Sequence, residues 1–395
     1  MATLRKKPRV GIIHSTKSKI TTAGKDLAVY LGVCLQLGGY SDVRIIGFSS
    51  EAAESKPADV SPHGKFLVVP YESKDPISPN HCECFRDEWK SLGDCNMVLM
   101  CVDPPDTASC AQALASVMKP EADIAIISFD LGVRNHAAVQ EHLANHGIGV
   151  LAGAVGICVV RDPVNGYLRC LGSGTLVVER LSKKQSKEGM KFINLLRSAG
   201  IPVRHCKNVT SYSHGAIAFN TVYAAAALAG LPLREFLRDR SARLLWAAMV
   251  REALQVLVLS ARGGSWRPAN PCCSLTLSQL ELLLCLPTPL FGLLSRLVLR
   301  FAPTLAPPMQ MDLTRGRETA VAWTLGEVVR IGDTYNTPVP ACHAVYSAVT
   351  LAVRVGNGVP SKKPQSLIAQ AYGPEASMSA RALRRKASRA LSEEV

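Results

Sequence analysis

Ala199-Gly-Ile-Pro-Val-Arg-His-Cys-Lys-Asn208, followed by His214-Gly-Ala216, Asn220 and Leu228-Ala-Gly-Leu-Pro-Leu-Arg234, marks the point where this chain changes character. Upstream of about residue 206 the apolar segments are short and unbroken: Val10-Gly-Ile-Ile13, Val43-Arg-Ile-Ile46, Met97-Val-Leu-Met-Cys-Val102, Ile124-Ala-Ile-Ile127 and Gly147-Ile-Gly-Val-Leu-Ala152. Between the first two, Asp26 to Leu37 is apolar at helical spacing. Apolar runs without alternation, separated by helical segments, imply a parallel sheet covered on both faces. That is a doubly wound, Rossmann-like α/β architecture, the kind that binds nucleotides. Downstream, long amphipathic stretches take over: Ala216–Ala229, Leu233–Ala261, Leu275–Leu299, Glu318–Tyr335 and Pro340–Val355. They predict an all-helical second domain. Ser50–Glu88 is polar, with prolines at 57, 62, 70, 76 and 79, and reads as an extended connection or insertion.

A length of 395 residues suits two domains. The expected division is 1–205, 206–373 and a basic tail over 374–395. At 48% hydrophobic and 19% charged, the chain can bury a sizeable core. No stretch reads as a membrane span. The most apolar, Leu280 to Phe301, is cut by Pro287 and Pro289 and carries Glu281, Arg296 and Arg300. A charge at a bilayer centre costs roughly 3 kcal/mol, so a packed helical pair is expected. The first strand begins too early for an apolar leader. The 13 cysteines are odd in number and follow no framework spacing, which points to a reducing intracellular compartment, the cytoplasm ahead of the mitochondrion. Cys34, Cys101, Cys158 and Cys285 lie in apolar runs and read as small buried hydrophobes. His81-Cys-Glu-Cys84 has ligand types but no second pair at zinc spacing, so no metal is expected. The formal charge is +14, part of it in the tail Arg381–Arg389 and in Lys6, Lys7 and Arg9. These suit an acidic partner surface in a larger assembly, ahead of an anionic membrane or nucleic acid, with a plain solvated terminus as the alternative for the tail.

The opening stretch resembles ketopantoate reductase (2-dehydropantoate 2-reductase) around the start of that enzyme's helical domain. Val150–Gly156, Asn165–Arg169, Gly172–Glu179, Arg238–Arg243, Met249–Leu254, Asp312–Arg317 and Thr337–Pro340 are similar to further family segments, in family order. The resemblance implies an NADP-binding domain, then a helical domain, and reduction of a 2-oxo acid by NADPH.

Position by position, the resemblance also implies losses. The glycine-rich turn after the first strand is replaced by His14-Ser-Thr-Lys-Ser-Lys-Ile-Thr-Thr-Ala-Gly24; Lys17, Lys19 and Lys25 remain as point charges. The arginine for the cofactor's 2′-phosphate is Phe48, with Arg44 no obvious substitute, and a lysine near the cofactor is Asp103. The asparagine leading Gly132-Val-Arg-Asn135 is Leu131, which cannot hydrogen-bond. The family lysine falls on Ala216 and a second asparagine on Ala224, while Asn220 is kept. A serine falls on Pro308, while Asp312 is kept. The family glutamate falls on Ala320; Glu318, close in sequence, is expected to point elsewhere on the same helix.

Hydride transfer to a ketone needs a held reductant and a proton or cation for the carbonyl oxygen. Losing one electrostatic stabiliser costs about two to three decades in rate. The leading expectation is therefore a reductase-fold protein without ketopantoate turnover, a pseudoenzyme with no confident cofactor, working through protein–protein contacts. Its candidate surfaces are the Ser50–Glu88 loop, the Leu280–Phe301 hairpin and the basic tail. The alternative is an active NADPH-dependent 2-oxo acid reductase with a relocated site, in which His214, Tyr212 and Tyr223 are candidate proton donors. A third reading is a domain that binds a small ligand without chemistry.

Overall fold

The computed structural model describes residues 9–16, 23–38, 42–49, 68–69, 89–119, 124–130, 132–161, 167–171, 174–180, 186–261, 266–299, 301 and 306–374. Lys6 and Lys7, Lys17 and Lys19, the Ser50–Glu88 segment apart from Val68 and Val69, the His81–Cys84 cluster, Leu131 and the tail Arg381–Arg389 lie outside them. The chain forms two compact units, one built in the main from residues up to Val209 and one from Thr210 onward.

The first unit holds strands β1 (Val10–Ser15), β2 (Val43–Phe48), β3 (Val68–Val69), β4 (Met97–Cys101), β5 (Ala125–Asp130), β6 (Val150–Val155), β7 (Cys158–Arg161), β8 (Leu168–Leu171), β9 (Leu176–Glu179) and β10 (Val203–Cys206). Its helices are α1 (Ala23–Leu37), α2 (Thr107–Val117), α3 (Asn135–Ala144) and α4 (Ser186–Ser198). The main sheet runs β10-β9-β6-β5-β4-β1-β2, and β3-β8-β7 form a small second sheet. Every residue of β1 and β4 is buried, as expected for strands covered on both faces. Because side chains alternate, neighbours separate into two cores. Ile12, Ile45 and Leu99 pack with Leu31 and Leu35 of α1 and Leu196 of α4. Ile13, Ile46 and Val98 pack with Leu114 of α2 and Val139 and Leu143 of α3.

The sheet departs from the parallel expectation at one junction. β2, β1, β4, β5 and β6 are parallel, but β9 runs antiparallel to β6, pairing Gly153 with Val178. A parallel return needs a crossover of a dozen or more residues, usually a helix. Only β7 and β8 intervene between β6 and β9 among the described residues, whereas α4 bridges β9 to β10 and that pair is parallel.

In the second unit the helices are α5 (Val209–Ala229), α6 (Leu233–Phe236), α7 (Arg240–Ser260), α8 (Leu277–Leu284), α9 (Thr288–Val298), α10 (Pro308–Thr314), α11 (Leu325–Thr334), α12 (Pro340–Val355) and α13 (Pro364–Tyr372). Trp246 and Phe236 are fully buried among them. Local chemistry sets the breaks. The Asp239 side chain accepts the Ser241 N–H at 2.8 Å and starts α7. Thr276 and Gln279 form a reciprocal capping box at α8. Pro287 then ends the α8 stretch and α9 begins. The single helix expected over Glu318–Tyr335 is two pieces: a 3₁₀ turn over Ala320–Trp323, then α11. Thr324 stands between them at φ −114°, ψ −88°, outside helical geometry.

One buried carboxylate fastens three helices. Glu252 of α7 is 2% exposed, and its two oxygens accept the Ala341 and Cys342 N–H groups at 3.0 and 2.9 Å. Those are orphan donors at the N-terminus of α12, where the helix dipole favours an anion. The hydroxyl of Tyr372, the last residue of α13, donates to the same carboxylate.

Cys34 and Cys101 are buried as expected, and burial pushes the Cys34 thiol up to about 12. Cys158 and Cys285 are only half-buried, because Cys158 opens a short strand and Cys285 caps α8. No helix among the described residues is long and apolar enough to cross a membrane.

Candidate functional site

The strand-rich unit would offer a ligand the crevice at the carboxyl ends of its parallel strands. The register brings β1, β2 and β4 to one level there: Ser15 pairs with Phe48, and His14 with Cys101. His14 is 1% exposed and its Nδ1 donates to the Ser15 carbonyl at 2.9 Å. Burial lowers the imidazole to about 4, a trend the Ser15 contact partly offsets and the Lys25 charge reinforces. The ring is therefore neutral near pH 7. Asp103, also 1% exposed, is held by its backbone: its N–H donates to Ser15 Oγ at 3.1 Å. Its carbonyl accepts from Asp106 N and from Thr107 Oγ1, at 3.0 and 3.1 Å.

The chain leaving β1 is bolted to the end of β2. Thr16 donates both its N–H and its hydroxyl to the Phe48 carbonyl, at 2.7 and 2.9 Å. Gly47 makes room for this, since a Cβ there would lie 2.0 Å from the Thr16 methyl. The Phe48 ring packs on Trp89 at 5.6 Å between centroids. Arg44 is engaged elsewhere, donating to Asp42 at 3.0 Å and to the Ser91 carbonyl at 2.5 Å. In the first turn of α1, Asp26 pairs with Arg161 at 2.9 Å, so that helix end already has an anion of its own. The neighbouring Lys25 has its pKa lowered by burial, with Arg161 adding to the effect and Asp26 opposing it. His14, Phe48 and Asp103 are thus brought together at the strand ends.

In the helical unit the candidate residues sit mainly on α5. Ala216 is 7% exposed, and Asn220 follows one turn later on the same side. Ala224, a further turn on, is fully buried. At 100° per residue, Tyr212 and Tyr223 fall on the Ala216 side, whereas His214 lies roughly 200° away. The two tyrosines share that side; His214 does not. Asp312, 3% exposed, lies in α10, and its carbonyl accepts the N–H groups of Arg315 and Arg317 at 3.1 and 2.9 Å. Ala320 opens the 3₁₀ turn. Glu318 precedes that turn in a non-helical, exposed segment, so its direction is not set by a helix shared with Ala320.

Sequence reasoning missed the segment that packs on α5. Trp266 sets its ring 4.6 Å from that of His214. Ser211 donates to the Arg267 carbonyl, and its own carbonyl accepts the Ala269 N–H at 2.9 Å. The Cys272 thiol faces Asn220 Oδ1 at 3.9 Å. Residues 266–273 have no periodicity or capping signal that could have announced this. Glu327 of α11, 4% exposed, holds Arg330 with contacts of 2.5 and 3.0 Å. Burial lowers the His214 pKa; the bond from its Nδ1 to the Thr210 carbonyl and the Glu327 charge act against it. At Gly215 a Cβ would meet the Ala269 carbonyl oxygen at 1.8 Å. Gly215→Ala is therefore expected to cost about 1–3 kcal/mol of stability, as overpacking does. Denaturant unfolding measures it, and an unchanged midpoint would show that the segment is loosely held.

Chemically, the Ala216 side of α5 offers an amide and two phenols but no cation. Among the described residues no cluster of His, Cys, Asp and Glu could hold a metal.

Residues 213–352 match the family described as ketopantoate reductase PanE/ApbA, C terminal. No curated protein matches the chain by sequence. Among solved structures, a PanE/ApbA family ketopantoate reductase from Ralstonia eutropha JMP134 is similar at 20% identity and a TM-score of 0.61, covering 88% of this chain and 99% of its own. A 2-dehydropantoate 2-reductase from Geobacter metallireducens GS-15 is similar at 15% identity and a TM-score of 0.61, covering 86% and 99%. D-mandelate dehydrogenase, in complex with NADH and anilino(oxo)acetate, is similar at 13% identity and a TM-score of 0.62, covering 88% and 99%. Residues 213–352 thus match the C-terminal domain described for ketopantoate reductases, and the chain shares its fold along most of its length with solved structures of that kind.

Proposed function

We propose that this protein keeps the ketopantoate reductase fold without ketopantoate turnover, and acts as a binding or structural subunit of a larger assembly. The observation that carries the reading is Ala216. It presents a buried methyl one turn before Asn220, where the family resemblance calls for a lysine. A methyl supplies neither a proton nor a field to a carbonyl oxygen gaining charge. Ala320 adds a second methyl where a carboxylate is called for. At the strand ends, the Thr16–Phe48 tie and the buried Asp103 are poor hosts for a pyrophosphate, since a like charge is unfavourable there.

The test is NADPH oxidation with ketopantoate on the full chain. No activity above background is expected. Wild-type turnover on the order of 1 per second or faster would end this reading. The informative rescue is Ala216→Lys with Ala320→Glu, alongside a calorimetric titration of NADPH, for which no micromolar binding is expected.

A second reading, an NADPH-dependent reductase of another 2-oxo acid, draws on Tyr212 and Tyr223 lying on the Ala216 side of α5. It requires turnover that falls about a hundredfold or more with the responsible Tyr→Phe change.

A further inference from the structure

We propose that α9 seats the protein on an anionic membrane surface, its outward leucines entering the lipid boundary and the arginines behind them holding headgroup phosphates. This stands whether or not the chain turns over a substrate. It rests on a helix that is apolar on two faces. Inward, Phe291 and Leu299 are 6% and 3% exposed. Outward, Leu290, Leu293, Leu294 and Leu297 are 51%, 66%, 41% and 70% exposed. Their spacing of three, four and seven residues makes one continuous stripe. Leu282 of α8, which packs beside α9, is 57% exposed as well. A helix on a water-facing surface turns this stripe inward. With 11 residues, α9 is about 16 Å long, half of a hydrocarbon core about 30 Å thick. It can lie in a membrane surface but cannot span one.

The second observation is what lies behind the stripe. A cavity of about 370 Å³ is lined by Arg234, Arg296, Phe291, Ser295 and Leu299. A recess of about 130 Å³, sharing several of those residues, adds Arg238, Arg243 and Thr288. No carboxylate appears among the described residues lining either. Arg243 is fully buried, with its guanidinium 4.5 Å over the Phe291 ring. It donates to the Leu237 and Arg238 carbonyls and to Thr288 Oγ1, at 2.9, 3.1 and 3.0 Å, while its Nε makes no hydrogen bond. Among the described residues it forms no ion pair. Arg234, Arg238 and Arg296 are exposed around it. Four guanidinium groups beside apolar walls complement a phosphate attached to an acyl chain.

The charge also selects the occupant. A second copy seated on this face would bring its own arginines against these, within a chain of net charge +14. An anionic leaflet brings the opposite sign.

The experiment is co-sedimentation of the full chain with vesicles of phosphatidylcholine alone and of phosphatidylcholine with about one-third phosphatidylserine. Wild type is expected to sediment with the anionic vesicles only. Leu293→Glu with Leu297→Glu, both at exposed positions, and Arg234→Glu with Arg296→Glu are each expected to weaken binding about tenfold or more. A tryptophan introduced by Leu297→Trp is expected to be quenched by lipids brominated in their chains. Wild-type binding by the leucine pair would overturn the proposal, since charge elsewhere would then suffice. Equal binding to neutral vesicles would overturn the arginine role. No vesicle binding, with a dimer that the leucine pair converts to a monomer, would make the face a contact between copies and overturn it as well.

Discussion

Acidification from about pH 7 to about pH 4 is expected to remove about 3 kcal/mol of unfolding free energy through His14 alone. Burial carries this imidazole from its ordinary 6.5 to about 4 in the folded chain. Above 6.5 the ring is neutral in both states, and its contribution is fully present. As the pH falls below 6.5, the unfolded chain takes up a proton that the folded chain refuses, so the contribution is lost progressively towards pH 4. The measurement is denaturant unfolding of wild type and of His14→Leu at both ends of that range. Carboxylates elsewhere titrate in both proteins and cancel in the difference. The variant is expected to lose less stability than wild type on acidification. Parallel curves would mean that His14 is protonated in the fold, and that the strand-end crevice is wetter than its 1% exposure implies.

Glu252→Ala is expected to destabilise the helical unit by about 3–5 kcal/mol. Removing the carboxylate leaves two backbone N–H groups at the start of α12 and one phenol without an acceptor, each a buried donor costing about 1–3 kcal/mol. It also removes the anion that the helix end favours. Glu252→Gln keeps one acceptor oxygen but turns an amide against the other N–H, so an intermediate loss is expected. Tyr372→Phe removes one bond to a charged group, about 1.5–3 kcal/mol. Thermal or denaturant unfolding ranks the three. If Glu252→Ala proves no worse than Tyr372→Phe, the α12 donors have found other partners.

Much of the architecture was legible because burial on both faces leaves a plain mark. Val10–Ile13 and Met97–Val102 carry no polar interruption, and both became central strands. The prolines at 287 and 289 announced the α8–α9 break, because proline cannot continue the first helix and suits the start of the second. The reversal at β9 left no mark, since strand direction depends on what bridges two strands rather than on their residues. The break at Thr324 was equally silent, because Val321 and Leu325 keep an apolar face through it. The candidate site was legible within one helix, where Ala216 and Asn220 stand a turn apart on α5. It was illegible where residues arrive from a distance. Trp266 and Cys272 reach α5 from an irregular segment, and Glu327 from another helix. The outward leucines of α9 were visible only as hydrophobicity; which face they occupy depended on where Phe291 and Leu299 found their core.

The Glu252 network also sets an order of assembly. All strands of the main sheet are complete once Cys206 has been made, so the strand-rich unit can fold while the rest of the chain is still being synthesised. The helical unit has no such freedom. Its buried carboxylate is closed by a hydroxyl 120 residues further along, at the very end of α13. Until Tyr372 has left the ribosome, α7 exposes an unsatisfied carboxylate and α12 an uncapped start. At ordinary rates of synthesis those 120 residues take roughly six to twenty-four seconds. A chain cut short before α13 would keep its sheet and lose the closure of its bundle.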